Sequence, residues 1–218
     1  MLRRLIELLY PARCVFCTQL LAKEETDICT SCRKRLPYCE GRVRRIPRSA
    51  ATVAVLWYED DVREAILRYK FRGRLQYSHA FGRLLAVKIA AEDPEFDLIC
   101  HVPVSRARKA KRGYDQAERL AKAVGEELGM KPRKLLRKIR NNPAQSGIRS
   151  PEQRAANVLG VYRCANPEAV RDRTILLIDD VTTTGATLSE CCKTLLDAGA
   201  ARVVCAALAQ VRRNEVRT

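Results

Sequence analysis

Aromatic residues are scarce in this chain, making up 6% of its 218 residues with a single Trp and four Phe. Few side chains are therefore available as platforms on which bases could stack. There are two histidines, His79 and His101, and neither is paired with an evident nucleophile. Histidine-centred acid–base chemistry has little to build on, and a packed or polar edge role is the expectation for His101. No stretch approaches the roughly 18 to 20 apolar residues that a membrane span requires. The opening MLRRLIELLYPARC has a basic start and a short apolar run, but the run contains Glu7, stops at Pro11 and lacks a small-residue cleavage site. It reads as a short docking helix and not as an export signal, which makes the cytoplasm the expected location. No internal repeat is present.

Acids are also in short supply, 25 against 41 Lys and Arg, for a net charge of +16. The excess is uneven. Residues 98–114 hold five basic residues and no acid, and residues 131–151, which include KPRKLLRKIR, again hold none. Such a surface attracts phosphorylated metabolites, nucleic acid or acidic lipid, although solubility alone would also account for a basic protein. Hydrophobic residues make up 47% of the chain, enough for a folded protein with one good-sized core and a small appendage.

Two regions separate along the sequence. Residues 1–48 are rich in Cys and basic residues with little apolar periodicity, whereas residues 49–218 alternate strand and helix patterns. Strands are expected at 52–58, 96–104, 174–179 and 201–209, with weaker candidates in LLRKI and VLGVYRC. Helices are expected at 61–71, 78–92, 115–128 and 186–198, the third opened by a capping box of Asp115 and Glu118. The strands are continuous apolar runs. The pattern therefore predicts an α/β fold, a mostly parallel sheet flanked by helices, with a small N-terminal cysteine ribbon.

ILLIDDVTTTGATL, residues 175–188, carries the most chemistry. A buried parallel strand delivers the next residues of the chain to the carboxyl edge of the sheet, where open α/β folds bind ligands. Asp179 and Asp180 arrive there together and could accept hydrogen bonds from vicinal hydroxyls or hold a divalent cation. The turn beyond them opens a helix, whose first N–H groups and dipole favour an anion. Thr183, Thr184 and Thr187 add hydroxyls, and Gly185 with Ala186 permits close approach. No Lys comes after the glycine, which excludes a nucleoside-triphosphate P-loop. Acids for hydroxyls beside a phosphate cradle describe a ribose 5-phosphate site. The plainer alternative is that Asp180 caps a turn and the threonines cap the helix.

CVFC (14–17) and CTSC (29–32) form two C-x-x-C knuckles separated by eleven residues. Cys14, Cys17, Cys29 and Cys32 suit tetrahedral Zn²⁺ with no open coordination position, hence a structural ion; a redox pair or an iron–sulfur cluster are the alternatives. Cys39 is left over. Cys100, Cys164, Cys191, Cys192 and Cys205 fall in apolar segments and read as core.

The segment 175–188 resembles the phosphoribosyl pyrophosphate (PRPP) signature of type I phosphoribosyltransferases. That resemblance implies that Asp179 and Asp180 engage the ribose hydroxyls and residues 183–187 hold the 5-phosphate. It also implies a pyrophosphate loop after an earlier strand, for which VPVSRARKAKRG (102–113) is the candidate, with Ser105 and Arg106 near pyrophosphate and Mg²⁺. Further segments resemble the ComF family of competence-associated, phosphoribosyltransferase-like proteins. They are YKFRG around Lys70 and Gly73, the same VPVSRARKAKRG, Arg112-Gly113-Tyr114-Asp115-Gln116, the trio Gln145, Arg154 and Asn157, the DDVTTTGAT loop and the preceding cysteine ribbon. Asp115 stands where that family usually has Asn; both cap helices, but a carboxylate cannot donate.

These features support three functions. The first is an enzyme that transfers the phosphoribosyl group from PRPP with Mg²⁺ to a nitrogen nucleophile, with Lys70, Arg106 and Arg112 balancing the leaving-group charge. The second, implied by the family, is a cytoplasmic module binding single-stranded DNA with the inner-membrane uptake machinery during natural competence. The third is an adaptor that senses a phosphorylated ribose. The superfamily also implies a homodimer.

Overall fold

The computed structural model describes residues 11–40, 43–142 and 150–212. The expected N-terminal helix lies mostly outside these residues, as does Gln145.

Helix α1 (Thr30–Arg35) belongs to the cysteine knuckles. Strand β1 (Ala51–Trp57) opens the main sheet. Helix α2 (Asp60–Phe71) buries Val62, Ala65, Ile66 and Tyr69, an i, i+3, i+4, i+7 stripe, with Asp60 and Asp61 at its N-terminus and Arg68 and Lys70 at its C-terminus. Helix α3 (Tyr77–Glu92), strand β2 (Leu98–His101), helix α4 (Arg106–Arg112) and helix α5 (Gln116–Glu127) come next. A short hairpin pairs β3 (Leu136–Lys138) with β4 (Tyr162–Cys164), and α6 (Pro151–Val158) lies between them in sequence. After the single turn α7 (Pro167–Val170) come β5 (Thr174–Thr182), α8 (Ala186–Asp197) and β6 (Arg202–Gln210).

The main sheet has the order β1–β6–β5–β2, all parallel. The two inner strands are the most apolar, because both of their faces are covered. Side chains alternate between the faces. Leu176, Ile178, Val204 and Ala206 pack towards α2, α3 and α5, whereas Ile175, Leu177, Val203 and Cys205 pack towards α8 and the hairpin. Gly82 of α3 lies against α5, where a Cβ would collide with Ala123.

The knuckle region shares this core. Phe16 is buried with its ring centroid 6.0 Å from that of Phe81. Arg68 donates to the carbonyls of Val15 and Phe16 at 3.0 and 2.6 Å. Residues 37–39 run along the free edge of β1, where Cys39 N donates to Val55 O and Trp57 N to Pro37 O, both at 2.8 Å. The edge is thereby covered.

Three expectations about local structure are corrected. Strand β2 stops at His101 and not at residue 104: Val102 still donates to Ile178 O at 2.9 Å, but the next N–H on that side, Val104 N, donates to Asp115 Oδ2 at 3.0 Å and not to β5. Most of the segment read as a turn-rich pyrophosphate loop is helix α4, capped by Ser105 and ended by Gly113. The capping box is half formed, because Asp115 accepts from Glu118 N at 3.1 Å while the Glu118 carboxylate is drawn to Lys109, Lys134 and Lys122 at 3.1, 2.9 and 3.4 Å.

Candidate functional site

Strand β5 does not end at the two acids but runs through them to Thr182, so they lean to opposite faces of the sheet. Asp180 is buried and turns to α2, where Lys70 Nζ lies 2.8 Å from its Oδ1. Its Oδ2 is buried with no hydrogen-bond partner. Asp179 turns to the hairpin side, near Tyr162 and Lys138, and its Oδ1 accepts from Asp180 N at 2.8 Å. Burial, and then the adjacent Asp180 charge, push the Asp179 carboxyl well above the usual carboxylate range.

A cleft of about 320 Å³ opens at this end of the sheet. Both acids and the whole 182–187 turn line it, and α8 begins at its floor. Of the other expected residues, Lys70 and Arg112 also line it. Ser105 and Arg106 do not: Ser105 is buried as the cap of α4, accepting from Arg108 N at 3.3 Å, and Arg106 is exposed. Arg108, two residues further along α4, lines the cleft in its place, held by a 2.7 Å bond to Asn142 O. The helical geometry of α4, hidden in a uniformly basic run, decides which arginine faces inward.

Lys138 and Tyr162 also line the cleft, and the sequence reading does not single them out. Lys138 Nζ lies 5.5 Å from the Tyr162 ring centroid, and burial with nearby Arg108 lowers its pKa to about 8. Both lie in the short strand-like segments LLRKI and VYRC, and the hairpin register sets them opposite one another.

The 182–187 turn is braced from the N-terminal region. Arg44 donates to Thr183 O, Arg48 donates to Ser189 Oγ at 3.2 Å, and buried Ile46 lies beneath Gly185. A Cβ on Gly185 would sit 2.7 Å from Ile46 Cδ1, and the residue has φ +82°. The glycine thus answers to the chain's own packing as well as to the turn.

Asp115 ties two segments together. One oxygen accepts from Glu118 N, and the other from Val104 N at 3.0 Å. An Asn would offer one acceptor oxygen and an NH2 that cannot accept, so the carboxylate serves the two N–H donors with separate oxygens where an amide could not. His101 is buried outside the cleft lining, near Asp115 and Glu118. Burial lowers its pKa, and the lysines around Glu118 already neutralise that acid.

The four knuckle thiols lie within 4.8 Å of one another, and Cys17 Sγ is 3.7 Å from Cys29 Sγ. A tetrahedron with Zn–S near 2.3 Å has edges of about 3.8 Å, so the set fits the ion. Cys29 N and Cys32 N donate to Cys14 Sγ and Cys29 Sγ, each at 3.4 Å, which supports thiolate charge.

A double zinc ribbon domain model matches residues 5–45, and a phosphoribosyl transferase domain model matches residues 110–217. Competence protein ComFC of Streptococcus pneumoniae is 30% identical over 176 residues, covering 81% of this chain and 73% of that protein. The chain belongs to the ComF family. Two further similar proteins of the family extend over more of their own length. Competence protein F of Haemophilus influenzae is 26% identical over 211 residues, 86% of this chain and 92% of the relative. DNA utilization protein YhgH of Escherichia coli (strain K12) is 27% identical over 203 residues, 87% and 86%. In this ComF-family chain the ribbon match and the four-cysteine set together support a structural Zn²⁺. Among the described residues one such set is present, and Cys39 is packed against β1, with burial raising its thiol to about 12. Among the described residues, no helix is long and apolar enough to cross a membrane.

Proposed function

We propose that the cleft binds PRPP, or a related phosphorylated ribose, together with Mg²⁺, and that the protein serves DNA handling in the cytoplasm during natural competence. Asp180 Oδ2 carries the assignment. A buried carboxylate oxygen with no partner is costly, and a ribose hydroxyl or a cation entering the cleft would satisfy it. Asp179 would take the second hydroxyl, and Thr183, Thr184, Gly185, Ala186 and Thr187 would surround the 5-phosphate over α8. Relatives named for competence and for DNA utilization support the cellular setting.

Where turnover occurs, an acceptor nitrogen bonds to C1 while the C1–O bond to pyrophosphate breaks and its electron pair leaves with pyrophosphate. Lys70, Arg108 and Arg112, which line the cleft, would balance that charge. Asp179 and Asp180 are the cleft residues that would hold Mg²⁺, which would supply further charge neutralisation. Residues 1–48 would act as a zinc-stabilised brace and residues 49–218 as the ligand-binding domain. A second reading, binding of single-stranded DNA without turnover, is favoured by the acid-free basic wall of α4.

Calorimetric titration of the zinc-loaded protein with PRPP and Mg²⁺ tests the assignment, beside an Asp179→Ala/Asp180→Ala variant. Saturable heat from the native protein and none from the folded variant is expected. No binding by the native protein would overturn it.

A further inference from the structure

Beyond the ribose-phosphate cleft, α4 and the end of α2 enclose a second chamber of about 390 Å³. Lys70, Phe71, Arg108, Lys111, Arg112 and Tyr114 line it, with no acidic residue. It is continuous with the cleft, because Lys70, Phe71, Arg108 and Arg112 belong to both.

The charges in this chamber are treated differently from those beside it. Lys109, on the other side of α4, is neutralised by Glu118 at 3.1 Å. Arg108 is instead fixed by the carbonyl of Asn142 at 2.7 Å, and Arg112 by the side-chain carbonyl of Gln116 at 2.9 Å. Neutral acceptors orient a guanidinium without cancelling its charge. Lys111 makes no ion pair among the described residues. Three cations therefore converge on one chamber with their charge uncompensated, which calls for a polyanion.

Phe71 adds a second demand. Phe16 and Phe81 are buried in the core, whereas Phe71 is 61% exposed at the chamber wall. The Arg112 guanidinium lies 4.7 Å from its ring centroid. Inorganic phosphate or pyrophosphate has no use for an exposed ring. A base does, because every base presents a π-face, and that face is accessible only when the base is unpaired.

We propose that this chamber is a subsite for an unpaired nucleotide, its base stacked on Phe71 and its phosphate held by Arg108, Lys111 and Arg112. The shared wall makes occupancy by a strand and by the pyrophosphate end of PRPP mutually exclusive. The subsite rests on the single-stranded-DNA reading above, whose site it names, and does not require that the cleft bind PRPP.

Fluorescence anisotropy with a short labelled oligothymidylate, over a range of salt concentrations, tests it. Phe71→Ala should weaken binding about tenfold with the salt dependence unchanged, because a stacked ring contributes affinity but releases no counterion. Phe71→Tyr should bind like the native protein. Lys111→Ala should weaken binding and reduce the log–log salt slope by about 0.7, the value for one phosphate contact on a single strand. Competition by thymidine monophosphate with the same Phe71 dependence would identify free nucleotide as a source; binding of the oligomer alone would identify a strand. Native affinity in the Phe71→Ala variant, or an unchanged salt slope in the Lys111→Ala variant, would overturn the proposal. Titration of the native protein with PRPP reads the cleft separately, so the two failures are distinguishable.

Discussion

Lys70 Nζ lies 2.8 Å from Asp180 Oδ1, and this ion pair joins the last turn of α2 to the carboxyl end of β5. Both side chains are largely buried, at 17% and 4% exposure. Removing one partner strands the other charge. Lys70→Met should cost about 3 kcal/mol, and Lys70→Met/Asp180→Asn should recover most of it, because a neutral pair leaves no uncompensated ion. Urea unfolding of the two variants measures the difference.

The raised pKa of Asp179 makes its charge a burden on the ligand-free protein. A carboxyl raised in the folded state contributes stability when protonated. That contribution is complete below the ordinary value near 3.8 and is lost as pH rises through the raised folded value. Asp179→Asn should therefore raise the urea midpoint at about pH 8 and have no effect near about pH 3. Equal effects at both pH values would contradict this.

Glu118 behaves in the opposite sense. Burial alone would raise its pKa, but Lys134 and Lys109 overcome it and hold the carboxyl at about 2, against an ordinary 4.5. Its stabilisation is present above the unfolded value and is lost as pH falls through about 2. The lysines are half or more exposed, so solvent screening reduces the effect. Glu118→Gln should cost about 1 kcal/mol at neutral pH and nothing at the acid extreme, which urea midpoints at the two pH values measure.

Gly185 and Ile46 form a double-mutant cycle. Gly185→Ala should destabilise by about 2 to 3 kcal/mol, one part from the left-handed backbone and one from collision with Ile46. In an Ile46→Ala background, which carries its own cavity cost because Ile46 is buried, Gly185→Ala should cost only the backbone part. A purely additive cycle in thermal unfolding would show that the two residues do not meet.

Zinc removal should be felt beyond the ribbon. Cys14, Cys29 and Cys32 belong to the same apolar cluster as Tyr69 and Phe81. The native protein should carry about one zinc per chain, and Cys29→Ala none. Loss of the ion should lower Tm by roughly 6 to 12 °C, as about 3 kcal/mol would in a chain of this size. An unchanged Tm in metal-free protein would separate the ribbon from the core.

Much of the architecture is legible in the sequence because its signals are local. Continuous apolar runs mark β5 and β6, Asp115 marks the start of α5, and the two knuckles mark their own ion. Asp179 and Asp180 with the threonine turn are legible because the strand, the ligand edge and the helix start are consecutive in the chain. Arg106 and Arg108 are not distinguishable in this way, because a run of basic residues has no polarity to reveal which face of α4 points inward.

The sequence by itself determined the apolar strands and helices of the α/β pattern, the metal-binding knuckles and the acid–threonine turn, since each depends on residues within a few positions of one another. Only the tertiary structure decided the rest. It matched Lys70 to Asp180, set Lys138 and Tyr162 across from each other in the hairpin, and laid Arg44 and Ile46 against the turn near residue 185. These contacts join segments tens to more than a hundred residues apart. No local periodicity encodes them; they exist because the core can be filled and its buried charges paired in this one arrangement.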